Sequence, residues 1–349
     1  STIKETHKMA TNGARIKRPY WRLTIGGEFA QKYAREIGFI TERKQQASQE
    51  LYIENTNTNI DVVPNIGSEL KRIRERVELT QFEVGIRRTT YQHYERGDRQ
   101  PTRGKLYLIA QEFMDEYTRK GFNEIQLRHD IINLMKLSMS DVFTDKIIAV
   151  EEIPCEEYVY DVEIEGTHNF ISNGIYSHNS VLLQATDRIA PKSVYVSGKG
   201  SSSAGLCVAP DSLILNDNGF KSIETFVENK FDDTQAKEEL PGAFSNEFSG
   251  QTHTLTEQLD FAAQPIEKIW KIKAPPKMIT FITRTGRELS LTPATSLIRI
   301  KNSKAEWIEA HELHIDDYVA VPRFLPEGKR KNIPTCTVLL DDPLMKIGN

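Results

Sequence analysis

Apolar positions change period several times along the chain, and each change marks an element. Ile66, Leu70, Ile73 and Val77 recur at spacings of three and four, which predicts a helix with one buried face. Residues 159–165 alternate instead, Val159, Asp161, Glu163 and Glu165 against Tyr160, Val162 and Ile164, as in a half-buried strand. Asn173-Gly174 follows, a dipeptide suited to a two-residue hairpin turn. Toward the start lie a basic, aromatic strand at 14–25, an amphipathic helix at 26–39 closed by Gly38, and another strand at 49–54. Thr80 and Glu83 have capping-box spacing and predict a second helix; Gly85 marks a turn, Thr89 caps a third helix and Gly97 stops it. Residues 130–158 predict a helix and then a strand at 145–153, expected to pair with 158–164. After residue 180 come a helix, a strand at 193–198 and a Gly/Ser-rich loop. After 207 come a strand at 212–215, an Asn218-Gly219 turn, a helix, and further strands across 281–300 and 307–323.

With 349 residues there is room for two or three domains. The net charge of -4 gives no global basic field. Residues 64–105 stand apart, with ten Lys/Arg against six Asp/Glu. No apolar run is long enough to span a bilayer and no signal peptide is evident, so a cytoplasmic location and no membrane partner are expected. Three cysteines, Cys155, Cys207 and Cys336, argue for a reducing compartment rather than a disulfide framework, with Cys155 as inert packing. The chain starts at Ser1 and ends at Asn349 without an ending signal, and both ends read as cut. No stretch has zinc-ligand spacing, and no metal site is expected for the chemistry described next.

His178-Asn179-Ser180 contains the parts needed to break one peptide bond. The Asn179 amide can attack its own carbonyl carbon and close a succinimide, an attack favoured by connectivity. His178 can donate to the carbonyl oxygen as charge develops there, and Ser180 offers a hydroxyl nucleophile. The whole stretch VYDVEIEGTHNFISNGIYSHNS, residues 159–180, resembles the C-terminal splicing segment of inteins. That resemblance implies catalytic roles for Asp161, His168, His178, Asn179 and Ser180, with His168 polarising the asparagine amide. Residues 207–226, opening at Cys207, resemble the first segment of an intein, and 281–300 its second motif. Cys207 would attack the Leu206 carbonyl to form a thioester, assisted by Thr292. Where the family carries histidine three residues on, this chain carries Thr295. Lys271 or Lys273 is a candidate for compensating charge, and restoring histidine at 295 is expected to accelerate the step if the geometry has room. His311 and His314 are read as surface residues.

Between these segments, residues 180–206 end in GKGSSSAGL and resemble the core of the archaeal minichromosome maintenance (MCM) replicative helicase, just after its phosphate-binding loop. The resemblance makes Ser180 a nucleotide-binding, Mg²⁺-contacting residue of the joined helicase, which would use Mg²⁺ and ATP, assemble as a homo-oligomeric ring and associate with the nucleoid. Residues 1–60 resemble the tail of a LAGLIDADG homing endonuclease, an Mg²⁺ enzyme. Residues 61–125 resemble a repressor-type helix-turn-helix, which implies double-stranded DNA contacts through Arg87, Arg88, Tyr91, Gln92 and Arg96.

The expected fold is therefore mixed and mainly β. It holds two partial Hint (intein horseshoe) splicing folds, at 126–179 and 207–349, joined by a short AAA+ ATPase fragment at 180–206. An α/β endonuclease insert and a helical DNA-binding insert precede them. The expected function is intein-mediated splicing of a helicase precursor with no cofactor for splicing. Two alternatives stand beside it: split-intein halves that cyclise 180–206, and a DNA-binding repressor with decayed splicing elements.

Overall fold

The computed structural model describes residues 2–9, 17–24, 28–49, 61–154, 157–178, 207–216 and 219–325. An antiparallel hairpin of β1 (Thr2–Met9) and β2 (Lys17–Thr24) opens the chain, followed by α1 (Glu28–Glu36) and α2 (Glu42–Gln49). Gly38 ends α1 as expected: its φ is +71° and its N–H returns to the Tyr33 carbonyl. Of the strand expected at 49–54, Gln49 closes α2 instead, and 50–54 lie outside the described residues.

Four helices follow: α3 (Gly67–Arg76), α4 (Arg88–Arg96), α5 (Arg103–Arg119) and α6 (Ile125–Met139). Ile66, Leu70, Ile73 and Val77 are all buried, against Leu106, Ile109, Phe113, Leu127 and Ile131. Thr80 makes the capping-box contact, its N–H and hydroxyl donating to the Glu83 carboxylate at 2.8 and 2.6 Å. Yet 80–86 form turns rather than a second helix. Gly85 at φ +73° interrupts the segment before a helical turn can propagate, and α4 begins at Arg88 with Arg87, not Thr89, at its cap.

The rest is β-structure: β3 (Val142–Pro154), β4 (Tyr158–Ile164), β5 (Asn169–Ser172), β6 (Ile175–His178), β7 (Leu213–Asn216) and β8 (Gly219–Ser222), then the short α7 (Ile223–Glu228). There follow β9 (Lys237–Leu240), β10 (Ala243–Leu255), β11 (Phe261–Lys273), β12 (Lys277–Thr283), β13 (Glu288–Leu291), β14 (Ser296–Lys301), β15 (Lys304–Glu309) and β16 (Tyr318–Pro322). All fourteen of these strands belong to one sheet, whose main path runs β13-β12-β3-β16-β14-β6-β5-β7-β10-β11-β4.

That order gives one shared sheet where two partial splicing folds were expected. Strands from before residue 179 alternate with strands from after 206: β3 lies between β12 and β16, β6 pairs β14, β5 pairs β7, and β4 closes on β11. Neither half can satisfy its backbone groups alone, because each supplies strands whose partners belong to the other. The expected pairing of β3 with β4 is also absent. Cys155-Glu156-Glu157 between them offers no residue suited to a tight turn, and the two strands find distant partners instead.

β4 is buried along both faces from Val159 to Ile164, not half-buried as its alternation suggested. The hairpin turn is as expected, with φ +48° at Asn173 and +76° at Gly174 joining β5 to β6. The helical core runs on into Ile171, Tyr176, Ile298 and Ile300 of the sheet. Arg103 of α5 and Arg323 after β16 both approach the Asp61 carboxylate, at 2.7 and 2.9 Å. The helices are thus built onto the β-structure by shared apolar packing and a shared ion pair.

Candidate active site

Cys207 lies between two strands of the sheet. Tyr160 of β4 and Val208 exchange both backbone hydrogen bonds, at 3.2 and 3.1 Å, and Val208 also bridges Leu291 of β13. Moving one residue along each register sets Cys207 opposite Asp161 on one side and Thr292 on the other. The Asp161–Cys207 pair is of the narrow, non-hydrogen-bonded kind, whose side chains share a face.

On the threonine side the contacts are direct. The Cys207 N–H, which belongs to the Leu206–Cys207 peptide bond, donates to Thr292 Oγ1 at 3.2 Å. The Cys207 carbonyl accepts the Thr292 N–H at 2.9 Å and the Thr295 hydroxyl at 3.1 Å. The two threonine hydroxyls are 2.8 Å apart. Each threonine is 1% exposed. Around Cys207 itself stand Val159, Ala209, Ala243, Trp270, Ile272 and Met278, an apolar cluster. Leu206 lies outside the described residues.

Asp161 is buried, and its Oδ1 accepts the Val162 N–H at 2.8 Å. Burial pushes its carboxyl well above the usual range, against the pull of the Val162 N–H and with a further push from Glu163. Burial thus favours the protonated form of the carboxyl that stands opposite Cys207. The consequence for stability has a definite sign. The folded pKa lies above the unfolded value of about 4, so the stability conferred by the bound proton is full below that pH. It is lost as pH rises through the folded value. Asp161→Asn cannot ionise but can accept the same N–H, and should flatten this loss. In urea unfolding the variant should gain on the parent as pH rises above the unfolded value of about 4; a gap that stays constant would mean that Asp161 ionises normally.

The C-terminal junction is approached along the β5–β6 hairpin. Its register pairs Asn169 with His178, so His168 stands one residue from the strand end that leads into Asn179. Asn169 is fixed by accepting the Leu255 N–H and donating to the Leu255 and Thr167 carbonyls, each at 2.8 Å. His168 has φ +50°, and its buried Nδ1 has no hydrogen-bond partner among the described residues. His178 packs edge-on against Trp307, with ring centroids 4.7 Å apart. Asn179 and Ser180 lie outside the described residues, as do Cys155 and Cys336.

Lys271 does not offer its charge to Cys207. Its Nζ pairs with Glu228 at 2.9 Å and lies over the Tyr158 ring. Glu228 also accepts the Tyr160 hydroxyl at 2.7 Å, so the lysine belongs to a cluster at α7. Lys273 sits beside Gly242, to whose carbonyl its N–H donates. His311 and His314 are exposed, as read. Sequence reasoning treated Thr295 only as a lost histidine; the signal for its hydroxyl role was the spacing Thr292-x-x-Thr295, which returns a second hydroxyl to the same turn.

The five residues assigned to DNA do not share one surface. Arg88, Gln92 and Arg96 recur every four residues along one side of α4, exposed or half-buried, and Arg87 is exposed just before them. The Arg88 guanidinium lies over the exposed ring of Phe82, 4.9 Å from its centroid. Tyr91 is on the inner side. It is 0% exposed and its hydroxyl donates to the Leu70 carbonyl at 3.1 Å, which removes it from any DNA contact. Tyr91 and Tyr94 form the buried stripe of α4, a role that local sequence left open. Among the described residues no group of three or more His, Cys, Asp or Glu could hold a metal ion, and no helix is long and apolar enough to cross a membrane.

A cysteine whose N–H and carbonyl are each held by a threonine hydroxyl, with a buried carboxyl opposite, is a geometry suited to rearranging a peptide bond. Residues 39–179, which include Asp161, His168 and His178, match the intein splicing domain family. The chain is 31% identical over 172 residues to the DNA-directed RNA polymerase subunit Rpo1C of Methanocaldococcus jannaschii, covering 46% of this chain and 18% of that one. It is 30% identical over 180 residues to the replicative DNA helicase DnaB of a Synechocystis species, covering 50% and 19%. A reverse gyrase of Methanocaldococcus jannaschii is 26% identical over 225 residues, covering 62% and 12%. The chain thus spans less than a fifth of the length of each of these relatives.

Proposed function

We propose that the chain splices itself out of a host protein by the intein route. Cys207 would open the Leu206–Cys207 bond as a thioester, Ser180 would take the acyl group arriving from the preceding host segment, and Asn179 would cyclise to cut the Asn179–Ser180 bond. The observation that carries this reading is the amide of Cys207 bonded to Thr292 and flanked by Asp161. A polymerase subunit, a helicase and a gyrase share only a small part of their length with this chain, as expected of an element inserted into unrelated hosts.

The host suggested by residues 180–206 is an MCM helicase. Mg²⁺ and ATP would serve the joined helicase ring, and Mg²⁺ the endonuclease of which residues 1–60 would be the tail. Ser180, the nucleotide-binding candidate, lies outside the described residues, so no step is derived through either group. Residues 61–125 would hold double-stranded DNA through Arg87, Arg88, Gln92 and Arg96. Replacing Arg87 and Arg88 by alanine in the full chain should weaken duplex binding at least tenfold and reduce its salt dependence, since each lost phosphate contact releases fewer counterions. Unchanged binding in a salt titration would remove the assignment.

One observation favours a second reading of the chain's order. The strands on either side of residues 180–206 form a single sheet, so one centre would act on both junctions of the segment between its halves. Splicing would then close Leu206 onto Ser180 as a 27-residue ring. Mass spectrometry of freshly expressed chain separates the outcomes. A ring weighs one water less than the open peptide; two separate inteins give open fragments only; an unchanged mass refutes splicing by this chain.

A further inference from the structure

We infer that Thr295 is a positioning residue for the N-terminal junction, acting through Thr292, and not the remnant of a lost proton donor; the inference rests on the splicing reading above. Three hydrogen bonds link the groups into a ring. The Cys207 amide donates to Thr292 Oγ1 at 3.2 Å, the threonine hydroxyls share a proton over 2.8 Å, and the Thr295 hydroxyl donates to the Cys207 carbonyl at 3.1 Å. One proton arrangement satisfies all three. Thr295 gives its hydrogen to the carbonyl, and Thr292 gives its own to Thr295. A lone pair of Thr292 Oγ1 then faces the nitrogen of the scissile bond.

The ring fixes residue 207 on both sides of its Cα. Its N–H is held by a side chain, and its carbonyl by the Thr292 N–H as well as by Thr295. The peptide nitrogen that must leave is therefore held in one orientation. In the step itself, Sγ bonds to the Leu206 carbonyl carbon as the C–N bond breaks. The thiol gives up one proton and the departing amine gains one, so the exchange balances without any added reagent. Thr292 Oγ1 acts here as the acceptor of the Cys207 N–H, so its part is to hold the leaving nitrogen in place and not to protonate it. Removing Thr295 leaves Thr292 free to turn its hydroxyl elsewhere.

Histidine cannot take this place without rebuilding it. Thr295 is buried, its N–H is held by the Thr292 carbonyl at 3.0 Å, and its carbonyl by the Ala310 N–H at 2.8 Å. An imidazole would have to displace both partners of the hydroxyl. On this inference histidine at 295 slows the step, the opposite of what the family pattern alone suggests.

The test uses the full chain and thiol-induced cleavage at Leu206–Cys207. Thr295→Val keeps the shape and loses the hydroxyl; it should slow that cleavage about a hundredfold, the usual effect of one lost oriented donor. Thr295→Ser should restore the rate to within a few-fold of the parent, and Thr295→His should be slow. Scission at Asn179–Ser180, which does not pass through the ring, should be unchanged in all three and reports an intact fold. If Thr295→Val cleaves as fast as the parent, or Thr295→His faster, the inference fails while the splicing reading stands. If Cys207→Ala cleaves like the parent, the splicing reading itself fails.

Discussion

Cys207→Ala should release no fragment ending at Leu206 when the chain is treated with an external thiol or hydroxylamine, whereas the parent should release one. The expected effect is complete because the thioester has no other source of sulfur. Cys207 is buried with Asp161 opposite, Thr292 on its N–H and Thr295 on its carbonyl, and it is the sole cysteine among the described residues. An alanine at 207 leaves the backbone ring in place, since that ring uses only the amide and the carbonyl of residue 207. The fold is therefore retained and the loss is chemical. Fragment release at an unchanged rate would mean that some other group opens the bond.

Asn179→Ala should abolish scission before Ser180 just as fully, because the attacking nitrogen and the attacked carbonyl belong to one residue. His168→Ala should slow the same scission by about a hundredfold without moving the site, as befits loss of a general acid or base. The structure supplies the reason for that difference. The buried Nδ1 of His168 has no hydrogen-bond partner among the described residues, and it stands where β6 ends. Quantifying the fragment that begins at Ser180 in the parent and both variants reads the two effects. Scission that persists in Asn179→Ala would point to a contaminating protease.

How far the sequence led depends on how local each feature is. Asn173-Gly174 names its own conformation, and the hairpin it builds has the two positive φ angles that the dipeptide favours. Ile66, Leu70, Ile73 and Val77 are likewise buried as their spacing requires. β4 was misread because Asp161 and Glu163 look like solvent-facing positions. In the fold Glu163 accepts the Trp270 indole N–H at 3.2 Å, and Asp161 is buried with its Oδ1 accepting the Val162 N–H. No local pattern carries either fact. Tyr91 was placed toward DNA because its neighbours Arg87, Arg88 and Gln92 invite that reading; only its packing under Leu70 shows otherwise.

The largest misreading concerned partners. Each half of the β-structure resembles one end of an intein, and nothing in either half says with what it pairs. β3 finds β12 and β16, and β4 finds β11, all beyond residue 206. Such pairing is fixed by which apolar faces can be covered and which strand edges closed, a property of the whole sheet. The same holds at Thr295. A threonine in a histidine's place reads as a loss until its hydroxyl is seen on the Cys207 carbonyl.

The central claim is that residues on both sides of 180–206 build one splicing centre. The most direct measurement is size-exclusion chromatography of the chain after both of its junctions have been cut by its own chemistry. The account predicts that 1–179 and 207–349 elute together as one complex of about the parent's size, held by the ladders β3–β12, β3–β16, β5–β7, β6–β14 and β4–β11. Two fragments eluting separately, each with native β-structure, would contradict it.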